Sequence, residues 1–520
     1  MDTKALRQKV LDLAIRGKLV PQDPNDEPAS VLLERIRQQK QQMVKDGKLK
    51  AKDIKNDTII FVGEDNLHYE KFADGSVKCI EDEIPFDLPD GWAWERIGNV
   101  STIARGGSPR PIEDFLTDDA DGINWIKIGD TEKDGKYILH TKEKIKPVGL
   151  SKTRYVRSGD FLLTNSMSFG RPYILKTDGC IHDGWLVIGN IDTVFNQDYL
   201  YYALSSGFMY TTLSLLAAGS TVKNLKSDTV RSVLFPIPPL GEQERMARRI
   251  EQLITFVDDI NANKNQLIDI INQTKAKILD LAIRGQLVPQ DPADEPASVL
   301  LERIRAEKEE LIRKGKIKRD KKESIIFRGE DNSYYEKMGN KVEKIDDEIP
   351  FELPNGWTWC RFSEVIELFS GQDLTPDKYS DIPQGIPYIT GASNLENGCV
   401  IVNRWTSSAT THATIGDLLL TVKGSGIGKM AICDIEDAHI ARQIMALRCR
   451  NGIRQEYLRI VVSAFLTEIT DQANGIIPGI RREVVLGTLF PLPPSSEQLK
   501  ISAKANCIIA KLQMIEKSLS

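Results

Sequence analysis

A stretch of 27 residues, LDLAIRGKLVPQDPNDEPASVLLERIR (11–37), returns as LDLAIRGQLVPQDPADEPASVLLERIR (279–305), differing only at Lys18/Gln286 and Asn25/Ala293. A repeat this close requires the chain to fold as related units, whatever its secondary structure. The match continues through IIFVGEDN (59–66) and IIFRGEDN (325–332), then DEIPFDLPDGWAW (82–94) and DEIPFELPNGWTW (347–359). Past Trp94 and Trp359 the copies diverge and only a skeleton persists. GINWIKIGD (122–130) aligns with GIPYITGAS (385–393), GDFLLT (159–164) with GDLLLT (416–421), and His182 with His439. They reconverge at FPIPPLGEQ (235–243) and FPLPPSSEQ (490–498). Near-identity flanking divergence is the pattern of a common scaffold carrying two domains selected to differ.

The repeat is circularly offset. Residues 241–285 are uninterrupted in mid-chain, whereas their second copy is split between the C-terminus and the N-terminus. The central copy carries a heptad at Met246, Ile250, Leu253, Val257, Ile260, Lys264, Leu267, Ile271, Thr274, Ile278 and Leu281. Its steps alternate between four and three, as a coiled-coil seam requires. The C-terminal segment repeats it at Ile501, Ala505, Ile508, Leu512, Ile515 and Leu519, and the N-terminal one at Leu6, Val10 and Leu13. Pro238–Pro239 and Pro493–Pro494 block extended structure from running into these helices. Glu242, Glu244 and Glu497 suit helix N-termini, and Gly17 and Gly285 suit helix ends. The central helix would be roughly 65 Å long. Two long helices in unrelated domains are one account. The split copy favours another, in which the chain ends join to make a second helix antiparallel to the first. Charged helices are also expected at 29–47 and 297–315, presenting either a solvated face or a partner contact.

With 520 residues the chain is too long for one ordinary core. Its 41% hydrophobic and 28% charged composition excludes fibrous and disordered classes. The longest apolar run, around 460–466, is too short to span a bilayer, and MDTKALRQKV has no signal-peptide core, so no membrane association and a cytoplasmic location are expected. Seven Cys lie scattered without metal-ligand spacing and read as reduced thiols. Short runs such as WIKIGD, DFLLT and WLVIGNI read as strands, DYLYYALSS and EYLRIVVSAFLTEI as helices. The expected fold is α+β, with two similar α/β domains separated by an antiparallel pair of long coiled-coil helices in a pseudo-twofold circular repeat. In chain order it comprises an N-terminal helix (1–17), a repeated helical/linker segment (18–90), a first variable domain (91–240) and the central helix (241–285). A second linker segment (286–355), a second variable domain (356–494) and a C-terminal helix (495–520) follow.

Catalytic motifs are missing. KGSGIGKM (423–430) approaches a phosphate loop, but Met follows its Lys and the first required Gly is absent. Its counterpart NSMSFGRP (165–172) lacks the glycine pattern, so a turn presenting side chains to a groove fits both copies better. Asn165, Ser168 and Arg171 are the candidates from one copy, Lys423, Ser425 and Lys429 from the other. No Asn-Pro-Pro-Tyr or Asn-Pro-Pro-Phe stretch occurs, so adenine methylation is not expected of this chain, and neither HExxH nor GxSxG is present. No catalytic residue, metal site or cofactor site is expected. His182 and His439 read as structural histidines or ligand contacts, and Trp92, Trp94, Trp357 and Trp359 as packing anchors rather than base-stacking platforms.

The net charge of −5 gives no global basic footprint, so contact with nucleic acid would need local positive charge. Lys142, Lys144, Lys146, Lys152, Arg154 and Arg157 fall within sixteen residues containing one acid, Glu143, and Thr141, Ser151, Thr153 and Tyr155 interleave as hydrogen-bonding groups. Such a run is either a solvated strand pair or a phosphate contact. ARGGSPRP (104–111) offers Arg105, Ser108 and Arg110. FSGQDLTPDK (369–378) offers Gln372, Asp373, Thr375 and Lys378. Arg suits guanine and Gln suits adenine in the major groove, so the exchange fits two readers of different sequences. A third matched place supplies Lys223 and Lys226 against Arg481 and Arg482.

LPDGWAWERIGNV before a glycine turn, then a variable domain ending in PIPPLGEQERMARRI, resembles the specificity subunit of type I restriction–modification enzymes. The resemblance covers essentially the whole chain and rests on the ordered set of both PPxxEQ junctions, both GW-W segments and the circularly split repeat. It implies a non-catalytic subunit whose two target-recognition domains each read half of a bipartite, asymmetric double-stranded DNA sequence. Two modification subunits would dock on the helices and bring S-adenosylmethionine chemistry. Restriction subunits would bring ATP, Mg and the nuclease. A methylation-based phage-defence system without a restriction subunit is the alternative. The missing tetrapeptide opposes a self-contained methyltransferase, and divergence confined to two matched domains opposes a coiled-coil scaffold without DNA function. The linkers at 18–90 and 286–355 are longer than the family minimum, and subunit contact is their expected role.

Overall fold

The structure, a computed structural model, describes residues 2–132, 135–165, 169–217, 224–317, 319, 323–396, 398–424, 426–471 and 479–519. It falls into two units, Met1–Lys264 and Asn265–Ser520. In the first, helix α1 (Thr3–Ile15) starts at Asp2, whose carboxylate accepts the N–H groups of Lys4 and Ala5 at 3.0 Å each. The chain then turns at Gly17, where φ is +64° and a Cβ would sit 2.4 Å from Pro89 Cγ. Glycine alone allows both the left-handed turn and this close approach. Gly285 repeats the arrangement against Pro354.

Helix α2 (Ala29–Lys45) buries Ala29, Leu32, Leu33 and Ile36, a narrow i, i+3, i+4, i+7 stripe, and leaves its charged faces outside. An antiparallel meander follows, β1 (Ile59–Val62), β2 (His68–Lys71) and β3 (Val77–Cys79). β4 (Ala93–Arg96) and the short α3 (Ile97–Val100) lead into the divergent region. There the chain forms β5 (Thr102–Arg105), β6 (Leu116–Thr117), β7 (Ile123–Ile126), β8 (Tyr137–Ile138), β9 (Glu143–Ile145), β10 (Arg154–Val156), β11 (Phe161–Thr164), β12 (Pro172–Leu175), β13 (Gly179–Ile181) and β14 (Trp185–Gly189). Two mixed sheets result, ordered β5-β14-β11-β12-β8 and β10-β13-β7-β9-β6. Helices α4 (Gln197–Leu204), α5 (Gly207–Leu216) and α6 (Ser227–Arg231) come next. The chain returns as β15 (Leu234–Ile237), antiparallel to β4, and enters α7 (Leu240–Ile283).

β11 shows how these layers close. Its side chains alternate between faces. Phe161 and Leu163 join the core shared with α1, α4 and the start of α7, while Leu162 joins Ile126, Tyr173 and Trp185 between the sheets. In the second unit Leu418 and Leu420 go to the helical core and Leu419 to the other. The rest of that plan recurs too. Helix Ala297–Arg313, the meander Ser324–Arg328, Tyr334–Met338 and Lys341–Lys344, the paired strands Thr358–Arg361 and Leu489–Leu492, and helix Ser495–Leu519 match their counterparts.

One buried junction holds each divergent region to its helix. Trp92 Nε1 and Gln22 Nε2 both donate to the Glu242 carboxylate, at 3.0 and 3.1 Å. Trp357 and Gln290 do the same to Glu497, at 2.9 and 3.2 Å. Burial pushes both carboxyls above the ordinary glutamate range, although these hydrogen bonds oppose the shift. Trp94 and Trp359 are likewise buried.

Within the first unit α1 runs antiparallel to the start of α7. Thr3 donates to Asn261 at 3.1 Å, Arg7 lies 3.7 Å from Asp258, and Gln22, just past the helix, reaches Glu242. In the second unit Lys275 pairs with Glu516 at 2.6 Å, and Ile278, Ala282 and Ile283 share a core with Ile501 and Ala505. Seam burial is uneven. Val10, Met246, Ile250, Val257, Ile271, Ile278, Ile501 and Ala505 are buried. Leu13, Leu253, Ile260, Leu281, Ile508, Leu512 and Leu519 are half-buried, and Leu6, Leu267 and Ile515 are exposed.

Candidate nucleic-acid interface

The loop after β5 meets the turn between β13 and β14, and five candidate residues of the first divergent region, Arg105, Ser108, Arg110, Arg154 and Asn165, gather there. Gly106 N–H donates to Trp185 O at 2.9 Å and Gly107 N–H to Ile181 O at 3.2 Å. A Cβ on Gly106 would lie 2.2 Å from His182 O, so the loop can lie this close only as glycine. Asp183 is the hub. Its carboxylate accepts from Ser108 Oγ at 2.9 Å, lies 3.0 Å from His182 Nε2, and approaches Arg110 Nη2 at 3.5 Å. Its carbonyl accepts from Arg105 Nε at 2.9 Å and Asn165 Nδ2 at 2.7 Å. Arg154 Nε donates to Arg105 O at 3.3 Å. Burial opposes charge on Asp183, but the Ser108 hydrogen bond and the cations around it outweigh that and hold the carboxyl below its usual range.

The second unit builds the same backbone. Gly371 N–H donates to Ile444 O at 3.1 Å and Gln372 N–H to Ile440 O at 2.9 Å. These bonds make Gly106 equivalent to Gly371, Gly107 to Gln372 and Asp183 to Arg442. They also correct the pairing of His182 with His439. Tyr388 is opposite His439 where Trp125 is opposite Cys180, so His439 takes the place of Cys180 and His182 that of Ala441. The two histidines lie two positions apart in register, within strands that otherwise diverge. His439 is buried between Gln372 O and Thr411 O, each 3.0 Å from a ring nitrogen, and burial holds its pKa below the ordinary value. It is a structural histidine.

Arg442 Nε lies 2.7 Å from Asp373 Oδ2, and Arg442 N–H donates to Asp373 Oδ1 at 3.1 Å. Arg442 also lines a cleft of about 460 Å³ with Ser370, Gly371, Val422, Lys423, Met445, Gly479, Ile480 and Arg481. Three cations therefore converge on one surface depression. Leu225 N–H to Asn165 O and Ile480 N–H to Val422 O, both 2.9 Å, make Lys226 the counterpart of Arg481, and both are exposed. Arg171 and Lys429 are also equivalent, each giving its carbonyl to the threonine ending the preceding strand, Thr164 or Thr421.

Other candidates lie apart. Lys142 Nζ donates to Gly129 O at 3.1 Å, Lys144 is on β9, and Lys152 sits over the Phe115 ring at 4.7 Å. Lys378 closes a short turn, and Arg482 donates to Leu368 O. Ser168, Lys223 and Ser425 fall outside the described residues. Asp183 and Arg442 were not among the candidates. An acid in a turn carries no recognition signal of its own, and Arg442 aligns with it only once the strands are in register.

Among the described residues no group of three His, Cys, Asp or Glu could hold a metal ion, and no helix is long and apolar enough to cross a membrane. Residues 89–269 match the family described as type I restriction modification DNA specificity domain. The chain is 32% identical to the EcoEI specificity subunit of Escherichia coli over 96% of its own length and 87% of that protein. It is 28% identical to the EcoAI specificity subunit of the same species, over 97% and 89%. A solved chain from work on complex assembly and conformational transition of the type I R-M system shares the fold. Its TM-score is 0.55 at 18% identity, covering 84% of this chain and 94% of that one.

Proposed function

The chain belongs to the specificity subunits of type I restriction enzymes, non-catalytic subunits that recognise DNA, and on that premise we propose how its recognition is divided. Each divergent region reads one half of a bipartite, asymmetric double-stranded target, and the antiparallel helices of the pseudo-twofold scaffold space the two readers. The observation that carries this reading is the matched loop-and-turn of each unit. Its backbone hydrogen bonds are the same in both, while its charged side chains differ. Two copies of one reader built for the same sequence would not differ there.

Modification subunits dock on the parts that do not differ. The two meanders support this assignment. Ile59, Phe61, Val62 and Val77 are exposed on one, and Ile325, Phe327 and Val342 on the other. Phe61 stacks on Tyr69, and Phe327 on Tyr335, each with ring centroids 5.8 Å apart. Exposed apolar faces repeated in register suit a partner present in two copies. S-adenosylmethionine, and any ATP and Mg, belong to the partner subunits, and the complex works on DNA in the cytoplasm.

Methylome sequencing of a host expressing the chain with its modification subunits tests the reading. The expected result is an asymmetric target of two short defined halves around an unspecified spacer. A symmetric or uninterrupted target would overturn it, as would methyl transfer by the chain alone.

A further inference from the structure

Each divergent region carries an Arg–Asp ion pair between the loop and the facing turn, with the arginine on the loop in one and on the turn in the other. In the first, Arg110 is on the loop after the glycine turn and Asp183 on the facing turn, 3.5 Å apart. In the second, Asp373 is on the loop, at the place of Ser108, and Arg442 on the turn, at the place of Asp183, 2.7 Å apart. The acid and the arginine have traded loop and turn: the turn members are equivalent, and the loop members are two positions apart.

We propose that Arg110 and Arg442 are guanine-reading side chains, one per recognition domain, and that Asp183 and Asp373 are positioning residues that hold each guanidinium in plane. The proposal rests on the reading of these domains as DNA readers.

Three observations support it. First, the arginines face solvent, their side chains 80% and 69% exposed, and an ion pair so exposed contributes little to folding. Stability alone therefore does not account for an Arg–Asp pair between this loop and this turn in both regions despite their divergence. Second, each carboxylate is itself anchored. Asp183 Oδ1 accepts from Ser108 and leaves Oδ2 towards Arg110. Asp373 Oδ1 accepts the backbone N–H of Arg442 and leaves Oδ2 for its Nε. With Nε engaged, both Nη groups of Arg442 remain for the O6 and N7 acceptors of guanine, which a planar guanidinium matches in pairs. Fixing the long side chain beforehand removes ordering entropy that binding would otherwise cost. Third, Arg442 opens on the cleft shared with Lys423 and Arg481, whose cations suit the phosphates beside a read base.

The test uses the full chain assembled with its modification subunits, with S-adenosylmethionine supplied. A randomised DNA library is methylated and the methylated fraction sequenced. The wild-type complex should select a guanine in each half of its target. Arg442→Lys keeps the charge but not the planar fork. It should lower the preference for one guanine, in one half only, by on the order of ten- to a hundred-fold. Arg110→Lys should do the same in the other half. Asp373→Asn should weaken the preference for the same guanine as Arg442→Lys, in the same half, and by less. Lys423→Ala, by contrast, should weaken all sequences alike and flatten the salt dependence. If the wild-type complex selects two defined halves, the reading as a DNA-specificity subunit stands, and the outcomes at Arg442 and Arg110 bear on the proposal alone. Unchanged base preference in both arginine variants would overturn it. So would a uniform loss across all sequences, because that is the behaviour of a phosphate contact.

Discussion

Glu95 shows what a single substitution between the repeats does. It is 2% exposed on β4, opposite Phe235, and burial raises its carboxyl to about 7 against the hydrogen bond from Asn99. The second unit has Cys360 there and moves the carboxyl to Glu364, in the place of Asn99, where Arg305 pairs with it at 2.7 Å. The folded-state value of Glu95 lies above its ordinary 4.5, so the stability it contributes is present at low pH and lost as pH rises through about 7. Glu95→Gln cannot ionise. Its melting temperature relative to wild type should therefore rise between pH 5 and 8, by an amount equivalent to about 3 kcal/mol. Parallel curves for the two proteins would show that the carboxyl is not desolvated. At this scale the sequence was informative where residue type alone carries the chemistry. Arg105, Ser108, Arg110 and Asn165 do converge. It was silent about Asp183, because only the register of β13 against β7 brings that turn to the loop.

Elements with strong local signals were legible in advance. The helix expected at 241–285 is α7, Leu240–Ile283, since a double proline stops the preceding strand and the left-handed Gly285 follows. The charged helices expected at 29–47 and 297–315 are Ala29–Lys45 and Ala297–Arg313, with the same four-residue apolar stripe buried, to which the second adds Lys308. The two- to six-residue strands of the divergent regions left less trace. β11 is buried on both faces, so alternation disappears from its sequence, and the order of the sheets depends on contacts distant along the chain. The meanders yield a prediction of their own. Phe61 and Phe327 are 41% and 42% exposed, so replacing both with Ser should change stability by only about 0.5 kcal/mol each. Assembly with the modification subunits should weaken roughly ten- to a hundred-fold, as expected when an aromatic anchor is lost. Co-purification yield and a titration by sedimentation would measure this, and an undiminished affinity would place the subunit contact elsewhere.

For the whole molecule, the proposed spacing of two readers by the helices is open to test by insertion. A heptad inserted between Asn261 and Lys264 preserves the seam and lengthens α7 by about 10 Å, the rise of about three base pairs. The methylated target should keep both halves and gain a longer spacer, read by methylome sequencing. A four-residue insertion should rotate the seam and reduce assembly. An active heptad variant with an unchanged spacer would show that α7 does not set the gap. Exchanging residues 95–234 for another reader should alter one half of the target and leave the other intact, and a change in both halves would refute independent reading. The antiparallel pairings of β4 with β15 and of Thr358–Arg361 with Leu489–Leu492 carry a consequence for how such chains change. Strands paired this way hold opposite Cα atoms about 5 Å apart, so each divergent region leaves and rejoins the scaffold through a neck of fixed width. Whatever is spliced between Arg96 and Leu234 meets the same two ends in the same place. The Trp92–Glu242 anchor lies outside the neck, whereas Arg110 and Asp183 travel together inside it. One crossover in each near-identical flank would thus carry a whole divergent region across the same neck, provided that it keeps the apolar face packed on α1 and the start of α7.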